Sequence, residues 1–113
     1  MPKQIDSPVK RWPGHVTLHS PLNWRQYSAF QDALAVANSI YTTDKPRQDA
    51  LDAALVPGLC ACVAEWKIDG LPSVVTLDSF PFTPRRASAQ LVSWLLREVT
   101  VLITEADNDI PNE

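Results

Sequence analysis

Apolar residues recur at helical spacing in three stretches of the chain. The first runs from Trp24 to about Tyr41 and is preceded by Asn23, which with Gln26 has the spacing of a capping box. At 100° per residue, one narrow stripe of this stretch carries Tyr27, Phe30, Leu34, Ala37 and Tyr41. The pattern predicts an aromatic-rich amphipathic helix.

The second stretch runs from about Pro46 to Lys67 and has a proline in its interior. Its apolar face consists of Leu51, Leu55, Leu59, Cys62, Val63 and Trp66. Pro57 is followed by Gly58, and a proline inside a helix removes one backbone hydrogen bond at a cost of about 3 kcal/mol or more. We expect a kink, or a break into two short helices, around Val56.

The third stretch, from Pro84 to about Ala106, has the widest apolar face, about 240° of the circumference. Two interpretations remain open. Either this helix is the central element of the domain, or part of its face stays bare for a partner or a second copy of the chain. The four tryptophans of the chain favour the second interpretation, because tryptophan is enriched at interface hot spots. The candidate contact residues are Trp94, Leu96, Val101 and Ile103.

Arg85 and Arg86 lie in the first turn of the third helix, where cations oppose the helix dipole. A basic pair in this position indicates a binding partner or an internal carboxylate, so both arginines are candidate partner-binding residues. Two solvated arginines whose stems pack on apolar surface are the simpler alternative.

Outside the helices, two short segments have β character. Val16-Thr17-Leu18 alternates, Val74-Val75-Thr76-Leu77 is β-branched, and the two could pair as a two-stranded ribbon. Residues 1–11 are polar and predict a flexible arm, residues 12–106 a single helical domain, and residues 107–113 a short acidic tail. The predicted fold class is therefore mainly α: a small three-helix domain, its second helix kinked or broken, with a short β ribbon.

Composition and charge exclude several classes of function. The 113 residues are 45% hydrophobic and carry a formal net charge of −3, which argues against a nucleic-acid binder with a broad basic surface. The sequence has no run of about 18 apolar residues and no signal-peptide core, so we expect a cytoplasmic protein that does not bind membranes.

Residues suited to catalysis or metal binding are few. Cys60 and Cys62 would point about 200° apart on a helix, and His15 and His19 would lie roughly 13 Å apart on a strand. We therefore expect no metal site, and no disulfide in a cytosolic chain. The nucleophile-elbow, phosphate-loop and helical zinc motifs are missing from the sequence, so we expect no enzyme activity and no cofactor.

Several segments together form a more specific pattern. They are Trp12-Pro13-Gly14-x-Val16-Thr17-Leu18-x-x-Pro21-Leu22, the stretch from Ala54 to Trp66, Gly70-Leu71-Pro72, the stretch from Thr76 to Pro81, and the stretch from Thr83 to Leu91. The pattern resembles small proteins of tailed-phage and prophage structural modules, in particular the tail assembly chaperones of long-tailed phages. It extends from about Trp12 to Ala106 and includes no residue-level contact motif.

This resemblance implies a mostly helical protein of the host cytoplasm that takes part in virion assembly. Such a protein binds the tape-measure protein, or another tail protein, and keeps it soluble until the tail tube forms. Self-association would help it to coat its partner, and the wide face of the third helix would be the natural groove. Two alternatives remain: a permanent head–tail connector or tail-completion subunit, and a small acidic inhibitor of a host protein.

Overall fold

The computed structural model describes residues 2–43, 45 and 47–108. Along this part of the chain the elements are β1 (Lys3–Asp6), β2 (Gly14–Leu18), α1 (Trp24–Tyr41), α2 (Gln48–Ala61), β3 (Val63–Ile68) and α3 (Arg85–Asn108). The strands form one antiparallel sheet in the order β1-β2-β3. The predicted helix-dominated small domain is confirmed, although its sheet has a third strand.

The first helix begins at the predicted capping box. The side-chain oxygen of Asn23 accepts a hydrogen bond from the Gln26 amide at 2.9 Å, and the Gln26 side chain accepts one from the Asn23 amide at 2.9 Å. These reciprocal bonds satisfy two backbone donors that the helix itself leaves unpaired. Phe30, Ala33 and Ala37 form the buried face of α1.

The second helix packs closely on the first because its contact point has no side chain. A Cβ atom at Gly58 would lie 2.6 Å from the Ala33 Cβ and 2.9 Å from the Ala29 carbonyl oxygen. The helix is a single element through Pro57, so the break predicted around Val56 is not observed. Its predicted start at Pro46 lies outside the described residues.

The predicted second helix is wrong beyond Ala61, where the chain becomes strand β3. Trp66 and Ile68 are both buried, and residues two apart share a face in a strand but not in a helix. β3 pairs with β2, with Trp66 opposite Val16. The predicted pairing of β2 with residues 74–77 is therefore also wrong.

The predicted flexible arm contains an ordered edge strand. Ile5 of β1 lies opposite Val16, and both Ile5 and Val9 are buried in the core. Two isolated apolar residues in a polar segment show no recognisable period, which is why the sequence predicts an arm here. The pairing partner, β2, decides the conformation of this segment.

The third helix lies close to its predicted bounds and provides much of the core. Its buried apolar residues are Leu91, Val92, Trp94, Leu95, Val99 and Leu102. They belong to one cluster with the sheet residues Val16, Leu18 and Trp66. The sheet therefore contributes to the apolar core that buries these residues of α3, and α2 is the helix in close contact with it. The interpretation of α3 as a helix flanked by both other helices is not confirmed. Residues 109–113 of the predicted tail lie outside the described residues.

Within the described residues, no helix is both long enough and apolar enough to span a bilayer.

Candidate functional site

A recess of about 130 Å³ opens between α2, α3 and the segment that leads into α3. We call it the Phe82 recess. Its lining includes Asp52 and Val56 from α2, Arg85, Ser88 and Val92 from α3, and Leu77, Phe80 and Phe82 from the segment between β3 and α3. Most of these side chains are apolar.

The segment between β3 and α3 is held by two internal anchors. Val75 is buried in the core, and the Phe80 ring meets the Trp66 ring edge-on at a centroid distance of 6.3 Å. Between the anchors, the Thr76 amide donates to the Ser79 hydroxyl at 2.8 Å and the Phe80 amide donates to the Thr76 carbonyl at 2.9 Å. This turn places Leu77 at the rim of the recess, where it is 49% exposed.

Arg85 is fixed at the recess by a carboxylate and an aromatic ring. Its guanidinium donates to Asp52, and its Cζ lies 5.6 Å from the centroid of Phe82. Asp52 also accepts a hydrogen bond from the Gln48 side chain at 2.9 Å. The sequence left open a partner or an internal carboxylate for this arginine, and the structure supplies the carboxylate. Arg86 is exposed and lies outside the recess lining.

Asp49, the second acidic residue of the lining, forms an ion pair with Arg47. The hydrogen bond from the Arg47 guanidinium, at 2.6 Å, lowers the pKa of the Asp49 carboxyl below its usual value. Both carboxylates of the recess are thus paired with arginines from the same chain. The recess therefore presents an apolar surface whose charges are already compensated.

The size of the recess restricts what it can hold. Small-molecule and cofactor sites usually have volumes of about 300–1,000 Å³, whereas a cavity of about 150 Å³ accommodates a single benzene ring. At about 130 Å³ the Phe82 recess matches one aromatic or branched aliphatic side chain.

The residues predicted to contact a partner do not form a common surface. Trp94 is 6% exposed and belongs to the core, so its predicted role as a contact residue is wrong. Leu96 and Ile103 are half-buried and pack against the same core, whereas Val101 is exposed. Of the predicted set, only Arg85 lines the recess.

Phe82 and Leu77 were missed by the reasoning from sequence. The Phe80-Pro81-Phe82 segment predicts two buried aromatic rings, but Phe82 is 61% exposed while Phe80 is half-buried. The sequence held no signal that separated the two rings, because an irregular segment has no period of buried and exposed positions.

Similarity to known proteins assigns no family to this chain. It matches no family model, no curated protein and no solved structure. The Phe82 recess and its surroundings therefore provide the structural basis for a functional proposal.

Acidic, histidine and cysteine side chains do not converge on a metal-binding cluster within the described residues. Cys60 and Cys62 are free thiols, and burial raises the pKa of each to about 11. The thiolate is the nucleophile of cysteine chemistry, so neither residue is suited to covalent catalysis near neutral pH.

We expect both thiols to react slowly with iodoacetamide in the folded chain. A rise in pKa from 9.0 to about 11 reduces the thiolate fraction at pH 8 by roughly a hundredfold. Denaturation should restore the rate of a free thiol, which mass spectrometry would follow. Because the unfolded chain loses these protons first, stability should also fall as the pH rises from about 9 towards 11. Rapid alkylation of the folded chain would contradict this description of the thiols.

Replacing Asp52 with alanine should destabilise the fold by about 1–2 kcal/mol, because Arg85 and Gln48 lose their common acceptor. The loss is smaller than for a fully buried pair, since the Arg85 side chain is 31% exposed and can regain water. Urea unfolding of Asp52→Ala, Arg85→Ala and the double variant would measure the coupling. Arg86→Ala is the matched control and should change stability little. Additive effects of the two single substitutions would show that the pair is not coupled.

Proposed function

We propose that the protein is a non-enzymatic chaperone of phage tail assembly, and that its Phe82 recess holds an apolar side chain of the tape-measure protein. The observation that carries the proposal is a preformed apolar recess sized for one side chain, with Phe82 and Leu77 exposed at its rim. An amphipathic helix presents such anchor side chains at regular intervals.

The recess has features that favour binding to a protein rather than to a metabolite. Aromatic residues and arginine are enriched at interface hot spots, and here Phe82 lies under the Arg85 guanidinium. Asp52 already neutralises Arg85, so docking an apolar group does not leave an unpaired charge behind. Phe82 and Arg85 hold each other in place before a partner arrives, which lowers the entropy cost of binding.

The tape-measure protein is the partner because of the sequence resemblance to tail assembly chaperones. A recess that takes one side chain gives weak binding at each contact, and many copies along a long helix would add to a stable coat. Weak individual contacts also suit a chaperone whose partner must be handed over to tail-tube subunits. A net charge of −3 per copy helps such a coat to stay in solution.

Co-expression with the tape-measure protein tests the proposal. The native chain should keep the tape-measure protein in the soluble fraction and co-purify with it. Phe82→Ser and Leu77→Ser should each weaken the complex roughly tenfold or more, as expected for central apolar contacts. Val74→Ser is the matched control, since Val74 is exposed on the same segment but does not line the recess.

Two results would contradict the proposal. In one, the tape-measure protein is neither solubilised nor retained by the native chain. In the other, Phe82→Ser binds as well as the native chain, or Val74→Ser loses binding to the same extent. Circular dichroism of each variant would establish that its fold is intact.

A further inference from the structure

One polar side chain at the Phe82 recess differs from the others in its hydrogen bonding. The polar residues of the lining are Asp49, Asp52, Arg85 and Ser88. Asp49 bonds to Arg47, and Asp52 bonds to both Arg85 and Gln48. Among the described residues, the Ser88 hydroxyl has no such partner.

Ser88 is nevertheless a buried residue. It is only 4% exposed, and its backbone amide donates to the Pro84 carbonyl at 3.0 Å. Every fully buried polar side-chain atom of the described residues has a partner, so the unpaired Ser88 Oγ keeps some contact with solvent. The recess is the opening that Ser88 lines, and a group that enters it can therefore reach this oxygen.

The surroundings of the hydroxyl are apolar. Val56 and Val92 also line the recess, and each is 2% exposed, whereas Leu77 and Phe82 are exposed at the rim. An entering side chain therefore meets apolar surface along its length and a hydroxyl at its tip. A pure hydrocarbon would shut this hydroxyl off from water without giving it a partner, which is unfavourable for a buried polar group.

We propose that the side chain held in the Phe82 recess is a tyrosine whose phenolic hydroxyl bonds to Ser88. This inference rests on the proposed function and narrows the anchor of the partner to one type of residue. A phenol has a single ring, which suits a recess of about 130 Å³, and its hydroxyl both donates and accepts hydrogen bonds. Leucine, isoleucine and phenylalanine would fill the same space but leave Ser88 unpaired.

Two small probes separate a hydrogen bond from simple filling of the recess. p-Cresol and toluene match the side chains of tyrosine and phenylalanine and differ by one hydroxyl. Because water solvates the phenol better, a purely apolar recess should bind toluene more tightly. Amide chemical-shift titration of the native chain should instead show tighter binding of p-cresol, with saturable shifts at Ser88 and Val92. A preference for toluene, or no saturable shift at the recess with p-cresol, would overturn the inference.

Ser88→Ala removes the hydroxyl without breaking a hydrogen bond of the fold. The variant should be at least as stable to urea as the native chain, because alanine is also the better helix former. Its preference for p-cresol over toluene should be lower by at least tenfold. Ser93→Ala is the matched control and should keep the preference, since Ser93 is exposed on the same helix outside the recess lining. An unchanged preference in Ser88→Ala, or marked destabilisation of its fold, would overturn the inference.

Co-expression with the tape-measure protein distinguishes this inference from the proposed function. Ser88→Ala should weaken the complex roughly tenfold. If Phe82→Ser loses the tape-measure protein and Ser88→Ala retains it fully, the tyrosine is wrong and the recess remains the docking site. If the native chain fails to retain the tape-measure protein but prefers p-cresol through Ser88, the proposed function is wrong and the recess remains a site for a phenol.

Discussion

Replacing Trp94 with alanine should destabilise the folded chain by about 3–5 kcal/mol. The side chain is only 6% exposed and packs in the cluster that joins α3 to the sheet. Because a domain of this size is stable by only about 5–15 kcal/mol, the substitution should remove a large part of its stability. Urea unfolding followed by tryptophan fluorescence and circular dichroism would measure the change.

Val101→Ala on the same helix is the control for Trp94. Val101 is exposed, so its substitution should change the free energy of unfolding by no more than about 0.5 kcal/mol. The opposite result, in which Trp94→Ala stays fully stable and loses only partner binding, would make the α3 face a docking surface. It would also refute the placement of Trp94 in the core.

Gly58→Ala should destabilise the chain by about 1–3 kcal/mol, although alanine is the better helix former. The added Cβ would lie 2.6 Å from the Ala33 Cβ, 2.9 Å from the Ala29 carbonyl oxygen and 3.0 Å from the Phe30 Cα. Two of these three atoms belong to the backbone, so α1 as a whole must move away from α2. Thermal and urea unfolding would show the loss.

The neighbouring Pro57→Ala substitution should have the opposite sign. Pro57 is exposed inside α2, and alanine would restore an amide donor to the helix interior. We expect this to stabilise the chain by about 1 kcal/mol.

For Gly58→Ala, a gain in stability would contradict the prediction. It would show that α1 and α2 are not packed as closely as the structure has them.

Most of the helical content and the cap of α1 were predictable because their signals are local. Asn23 and Gln26 form their capping box within one turn, and the apolar spacing of α3 is independent of the rest of the fold. Of the kink or break expected around Val56, the break is not observed, because α2 continues through Pro57. The close packing of Gly58 against α1 helps to keep α2 a single helix.

The strands were less predictable because each depends on a partner distant in the sequence. The apolar residues of Val63–Ile68 continue the period of α2, so periodicity alone favours a helix there. The segment forms a strand instead because it pairs with β2. The same dependence explains the missed strand β1. Sheet residues share a core cluster with α3, so the missed strands also led to an overestimate of its exposed surface.

The candidate site was predictable only in part. The position of Arg85 at a helix N-terminus left a partner, an internal carboxylate and a solvated arginine open, and its contact with Asp52 selects the internal carboxylate. Phe82 and Leu77 lie in an irregular segment, where no period separates buried from exposed residues. Phe82 and Leu77 are exposed because Val75 and Phe80 anchor the segment in the core. These anchors contact residues distant in the sequence, so local patterns do not reveal them.

Amide chemical-shift mapping tests the central claim most directly. The isotope-labelled chain would be titrated with overlapping peptides that cover the tape-measure protein. The largest shifts should lie at Asp52, Leu77, Phe82 and Arg85, and these residues should saturate together. Shifts confined to α1 or to the Val101 side of α3, with the recess unchanged, would contradict the proposal that the Phe82 recess is the docking site.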